Sequence, residues 1–181
     1  MTFLDKSSGY SRGMAHAPDT PAFTAEQLET WSALATLLEW LPPALDAQLQ
    51  RDADLTHFEY GILFALDQAD DRTLRMSVLA DYANSTLTRL SRAATRLENK
   101  GLLRRSPDPT DGRYTLATLT EQGASKAADA TPGHVANVQR LVFDALTPTQ
   151  TKQLLTISRR ITAAVRESPG WQPDATDTPR S

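Results

Sequence analysis

A mainly α fold with one small β-hairpin is predicted by three observations. Leu87, Leu90, Ala94 and Leu97 recur at helical spacing, opposite a stripe of hydroxyl and guanidinium side chains. Residues 102–106 and 114–119 have strand character, separated by Pro107-Asp108-Pro109-Thr110-Asp111-Gly112, a run of turn formers. Thr24-Ala25-Glu26-Gln27 and Thr147-Pro148-Thr149-Gln150 have capping-box spacing, so helices open near both ends of the chain. Between residues 75 and 123 the order is helix, tight turn, second helix, hairpin. That succession is a winged helix-turn-helix, flanked here by N- and C-terminal helices.

Each element has its own justification. Residues 1–23 are rich in Ser, Gly, Pro and Asp without apolar periodicity, which reads as a flexible arm. Residues 24–54 form an N-terminal helical region in which Leu28, Trp31, Leu34, Ala35, Leu38 and Leu41 repeat at helical intervals. Pro42-Pro43 is expected to break or sharply kink that helix, because a proline ring removes an interior hydrogen bond. The winged domain spans 55–120. It begins with a helix over about 56–69 that carries Phe58, Ile62, Leu63 and Leu66. A supporting helix over 76–83 follows, then Asn84, which tolerates a left-handed backbone, and Ser85 as N-cap of the next helix. Gly101 closes that helix at a left-handed C-cap, with Leu102 folding back.

Beyond the hairpin, Thr120 caps a helix toward Ala130, and Thr131-Pro132 offers an interruption. Residues 121–167 form the C-terminal helical region. Its last helix is expected to bury Leu154, Leu155, Ile157, Ile161 and Val165. Residues 168–181 read as a flexible tail. The apolar stripes at the two ends have no partner sheet and must pack together, either between two chains or as an intrachain bundle.

Composition excludes several functions. The chain has 181 residues, 40% apolar and 23% charged, suited to one globular domain with tails. No apolar run reaches the roughly 18 residues of a membrane span, and the N-terminus lacks a signal-peptide core. There is no cysteine, which removes disulfides and thiolate metal sites and fits a cytoplasmic location. His16, His57 and His134 show no metal-ligand spacing, and no GxSxG, phosphate-loop or dinucleotide fingerprint appears. Neither an enzyme nor a cofactor or metal is expected.

Charge is unevenly distributed. The net charge is -3, yet residues 72–113 hold nine basic and four acidic side chains, so that segment is +5 and the remainder -8. Such asymmetry points to a polyanion-facing patch on an acidic body, or to a solvated basic face. On the second helix of the motif, Ser85, Thr86, Thr88, Arg89 and Arg92 are the candidate DNA-contacting residues. Arginine bonds bidentately to guanine O6 and N7 and also pairs with phosphate. Arg96, two turns in, suits a phosphate or structural role. Arg113 stands at the hairpin tip, where an arginine reaches a narrow minor groove. Asp111 either orients Arg113 for that contact or only stiffens the turn with an ion pair.

LADYANSTLTRLSRAATRLENKGLLRR, followed by DPTDGR and TLATLTEQG, resembles the multiple-antibiotic-resistance regulator (MarR) family of winged-helix transcription factors. The resemblance runs from about residue 28 to 165. Two departures stand out: Thr110 and Gly112 occupy wing positions often held by arginine, and Pro42-Pro43 interrupts a first helix that is usually continuous. The resemblance implies a homodimer built from the terminal helices, presenting two recognition helices to a pseudo-palindromic operator in double-stranded DNA. It further implies repression relieved by a small aromatic or phenolic effector in a cleft between the dimer helices and the winged domain. Trp40, His57 and Tyr60 are candidates to line that cleft, or are simply core aromatics. The competing reading is a winged-helix module that binds an acidic protein with the same arginines.

Overall fold

The computed structural model describes residues 21–168, so most of the expected arm and nearly all of the expected tail lie outside the described residues. Helix α1 spans Ala25–Ala53, α2 His57–Asp67, α3 Met76–Tyr82, α4 Leu87–Asn99, α5 Glu121–Val138 and α6 Pro148–Glu167. Strands β1 (Thr73–Arg75), β2 (Leu103–Pro107) and β3 (Thr115–Leu119) form an antiparallel sheet in the order β1-β3-β2. The chain divides into two compact units after Leu38. Within the described residues the first holds only the opening turns of α1, and the second holds every other element.

Local signals account for most boundaries. The Thr24 hydroxyl accepts from the Gln27 amide at 3.2 Å, and the Gln27 side chain accepts from the Thr24 amide at 2.9 Å, closing a capping box. Thr56 and Thr147 close the same box on α2 and α6, and the Thr120 hydroxyl caps α5 by accepting from the Gly123 amide. Asn84 is left-handed at φ 45° and Gly101 at φ 72°, as their positions at a turn and a helix C-terminus require.

Two expectations about helices are corrected. The break at Pro42-Pro43 does not occur: α1 continues through both rings and goes on to bury Leu45, Leu49 and Ala53. The bonds lost are those to the carbonyls of Leu38 and Glu39, two exposed residues whose oxygens water can serve. Thr131-Pro132 does not interrupt α5 either. The Thr131 hydroxyl donates to the Ala127 carbonyl at 2.7 Å and accepts from the Tyr60 hydroxyl at 3.0 Å. That bond, with buried Ala127 and Ala130 around it, holds the helix across the ring. Within the single chain α6 buries none of its residues: Leu154, Leu155, Ile157, Ile161 and Val165 are 37–54% exposed, so of the two packing options the intrachain bundle is not formed.

The core lies in the second unit, between α2, α3, α4 and the sheet. Leu49, Leu55, Ile62, Leu63, Leu66, Leu79, Leu90, Leu97 and Leu103 are fully buried. At about 1.5–3 kcal/mol each, these side chains anchor α4 by its apolar stripe and leave its other face outward. Strand β1 was not foreseen. Three residues are too few to show alternation, and only pairing of Thr73, Leu74 and Arg75 with Thr118, Ala117 and Leu116 makes them a strand.

Candidate nucleic-acid interface

On α4, Leu90, Ala93, Ala94 and Leu97 face the core, while Thr86, Thr88, Arg89, Arg92 and Arg96 are exposed. The N-cap is Thr86 rather than Ser85: its hydroxyl accepts from the Arg89 amide at 3.2 Å. Ser85 is 5% exposed, its amide bonded to the Ala80 carbonyl and its hydroxyl donating to Thr86 O. The left-handed step at Asn84 turns the chain so that Ser85 points inward, which removes it from the outer face.

The arginines are held differently. The Arg89 guanidinium lies 4.3 Å above the Phe58 ring, a cation–π contact with the start of α2. Arg96 Nε donates to Glu59 Oε1 at 2.7 Å, which gives it the structural role expected as one of two options. Burial opposes the charged form of Glu59. The Thr56 amide and the Arg96 guanidinium outweigh it, and the carboxyl lies below its ordinary value. Arg92 has no ion-pair or aromatic partner among the described residues.

At the wing, the Asp108 amide donates to Tyr114 O and the Tyr114 amide to Asp111 O, each at 3.0 Å. The Asp111 carboxylate grips the Arg113 guanidinium at 2.7–3.2 Å, and the Arg113 side chain is 81% exposed. Those bonds from Arg113 hold the Asp111 carboxyl below its usual range.

Counting charges in sequence overstated the free positive face. Of the nine cations between residues 72 and 113, Arg72, Arg75, Arg96, Lys100, Arg105 and Arg113 form ion pairs within the chain. Arg105 holds the motif together in a way its sequence position did not show. Its guanidinium binds Glu98 Oε2 at 2.6 and 3.0 Å and Thr95 Oγ1 at 3.0 Å, tying β2 to the end of α4. The spacing of Glu98 and Arg105 across Gly101 was the available signal.

A cleft of about 710 Å³ opens beside α4, lined among others by Asp46, Phe58, Tyr82, Arg89, Arg92 and Arg96. Of the three aromatic candidates only His57 borders it. Trp40 is 75% exposed, and Tyr60 is buried with its ring 4.7 Å from His134. Neither is brought to the cleft. His57 and His134 lie 5.3 Å apart where α2 meets α5. Burial lowers both imidazoles; Asp46 opposes the shift at His57, and His57 adds to it at His134.

A histidine with a lowered folded value binds fewer protons folded than unfolded, so its stabilising contribution is present above the unfolded value of about 6.5 and lost as pH falls below it. Thermal stability is therefore expected to fall as pH drops below about 6.5, with His134→Gln flattening that fall. Glu59 acts in the same direction only lower, beneath its ordinary value of 4.5. An unchanged profile in the variant would contradict the assignment.

A capped helix offering arginines outward, beside a hairpin with an arginine at its tip, defines a winged helix-turn-helix of the kind found in gene regulators. The model of the MarR family matches residues 53–113. The chain is 42% identical to Sco3205, a MarR family transcriptional regulator from Streptomyces coelicolor solved in complex with DNA, covering 83% of this chain and 94% of that one with a TM-score of 0.79. AbsC, a MarR family regulator from the same organism, is 32% identical over 82% of this chain and 100% of its own, with a TM-score of 0.78. The transcriptional regulator HosA of Escherichia coli is 37% identical over 79 residues, 44% of this chain and 57% of HosA. The match thus spans little more than half the length of the curated relatives. The chain belongs to the MarR family of transcriptional regulators.

Among the described residues no helix is long and apolar enough to cross a membrane, and no cluster of potential ligands suits a metal.

Proposed function

We propose that the protein is a homodimeric transcriptional repressor that binds a pseudo-palindromic operator in double-stranded DNA. The observation that carries this reading is the division of α4 into a fully buried apolar stripe and an exposed face of Thr86, Thr88, Arg89 and Arg92. In helix-turn-helix proteins the N-terminal half of the recognition helix reaches base edges, and these four residues occupy that half. Arg113 enters the adjacent minor groove, oriented by Asp111. The relative Sco3205 was solved in complex with DNA, which supports DNA as the partner here.

The cleft beside α4 is the proposed effector site. Phe58 and Tyr82 suit an aromatic ring, and Arg89 and Arg92 suit its carboxylate or phenolate. Because those arginines also face the operator, such a ligand binds the free and DNA-bound arrangements with different affinity, which release requires. Titrating phenolic acids against the protein–DNA complex tests this. No release and no rise in melting temperature would leave a constitutive binder.

Selection of fragments from the source genome by the purified protein tests DNA binding itself. On a selected operator, Arg89→Ala or Arg92→Ala should cost about 1–3 kcal/mol per half-site and relax preference at one base pair. Arg113→Ala should weaken binding most on A·T-rich flanks, because a minor-groove arginine reads groove width. Each loss should come with a shallower salt dependence. Unchanged affinity in all three variants would sink the assignment of this surface, and salt-sensitive capture of an acidic protein without operator binding would replace it.

A further inference from the structure

We propose that Arg75, on the edge strand β1, is the positioning residue of the wing, holding the loop that presents Arg113 and so setting how strongly flanking A·T content is read. The inference rests on the DNA-binding reading above. It starts from an element that sequence patterning did not show.

Arg75 is fixed by the sheet, where it pairs with Leu116 of β3. Its Nε and one terminal nitrogen both donate to Asp108 Oδ2 at 2.8 Å. The other carboxylate oxygen of Asp108 accepts from the Thr110 amide at 2.8 Å and the Thr110 hydroxyl at 2.6 Å. Asp108 is only 6% exposed, and these bonds, Thr110 first and Arg75 after, hold its carboxyl down to about 2. It is ionised at any working pH, so the latch is permanent.

The same guanidinium lies 4.4 Å over the ring of Tyr114, and the Arg113 guanidinium lies 5.9 Å from that ring. One side chain therefore touches both ends of the loop, Asp108 at its entry and Tyr114 at its exit. Lysine carries the charge but lacks the planar fork and the stacking face, so it cannot hold both at once. Without Arg75 the Thr110 bonds remain, and the loop loosens rather than unfolds. Arg75 is itself part-exposed, so the alternative is an ordinary phosphate contact.

The test uses the full chain with Arg75→Ala, Arg75→Lys, Arg113→Ala and the Arg75→Ala/Arg113→Ala double variant. In the free protein, amide exchange at Thr110 and Tyr114 should quicken about tenfold in both Arg75 variants, with the α4 core amides unchanged. On a selected operator with A·T-rich or G·C-rich flanks, Arg75→Ala and Arg75→Lys should each lose most of the flank preference. The double variant should lose no more than Arg113→Ala alone, because positioning acts through Arg113. Rescue by lysine, or losses that add, would show a phosphate contact and overturn the proposal. Unchanged exchange would overturn the latch whatever the DNA result. Faster exchange in a protein whose wild type selects no fragment would instead overturn the DNA-binding reading, and the specificity role with it.

Discussion

A glutamate in place of Leu155 or Ile161 is expected to yield a monomer that has lost its operator affinity. The helix that carries them is well specified locally: the Thr147 capping box and Pro148 at its first position start it where the sequence says. A helix of twenty residues is still marginal in water without an apolar face to bury. Leu154, Leu155, Ile157, Ile161 and Val165 remain 37–54% exposed, a continuous apolar stripe along one side. A second copy of the chain covers it in the proposed dimer. One buried carboxylate facing that stripe costs several kcal/mol without a partner, enough to separate the chains.

The consequence for DNA is larger than that for α6 itself. Two linked half-site contacts gain roughly 100- to 10,000-fold over one through effective concentration, and a monomer forfeits that gain. Light scattering and operator titration on the same sample check both parts. The helical circular dichroism of the winged domain should survive, which separates dissociation from unfolding. A variant that still dimerises and binds a two-half-site operator with full affinity would refute the arrangement; deletion of residues 149–166 offers the same comparison.

Gly123→Ala is expected to have the largest effect on stability of any glycine-to-alanine change among the described residues. Gly123 lies in the first turn of α5, where its amide donates to the capping hydroxyl of Thr120 at 3.0 Å. A Cβ built there would overlap the Leu102 carbonyl oxygen and sit 2.7 Å from Leu119 Cδ1. The oxygen is backbone and cannot swing away. It also accepts from the Thr120 amide at 3.2 Å, so moving it breaks the junction of sheet and helix. Overpacking of this severity costs about 3 kcal/mol, at the upper end of the usual range. For a chain of this size that is a fall of roughly 6–12 °C in melting temperature. Gly61→Ala, with nothing within 4 Å of its Cβ, is the matched control. Equal melting temperatures for the two variants would contradict the close approach.

The glycine shows where sequence reading stops. Leu-Thr-x-x-Gly was legible as part of a family pattern, yet its cause is the backbone oxygen of Leu102, distant in sequence, which no local periodicity reveals. The capping boxes at Thr24 and Thr147, the left-handed Asn84 and Gly101 and the apolar stripe of α4 were legible because their physics is confined to a few consecutive residues. A break at Pro42 and an interruption at Pro132, two of the outcomes expected of these rings, do not occur for the complementary reason. A ring costs a helix one local hydrogen bond, but exposure to water at one site and a Thr131–Tyr60 bond at the other offset it.

The candidate site divides along the same line. Sequence alone determined which face of α4 is basic, since helical spacing assigns each residue a direction. It could not determine which cations are free, because Glu59, Asp54 and Asp108 reach their partners across 33 to 46 residues of chain. Tertiary structure alone placed Ser85 inside, brought His57 but not Trp40 or Tyr60 to the cleft, and made Thr73–Arg75 a strand. The physical reason is common to all of these. Capping, periodicity and turn chemistry are short-range and written in neighbouring residues, whereas burial and ion pairing depend on which distant surfaces the core draws together.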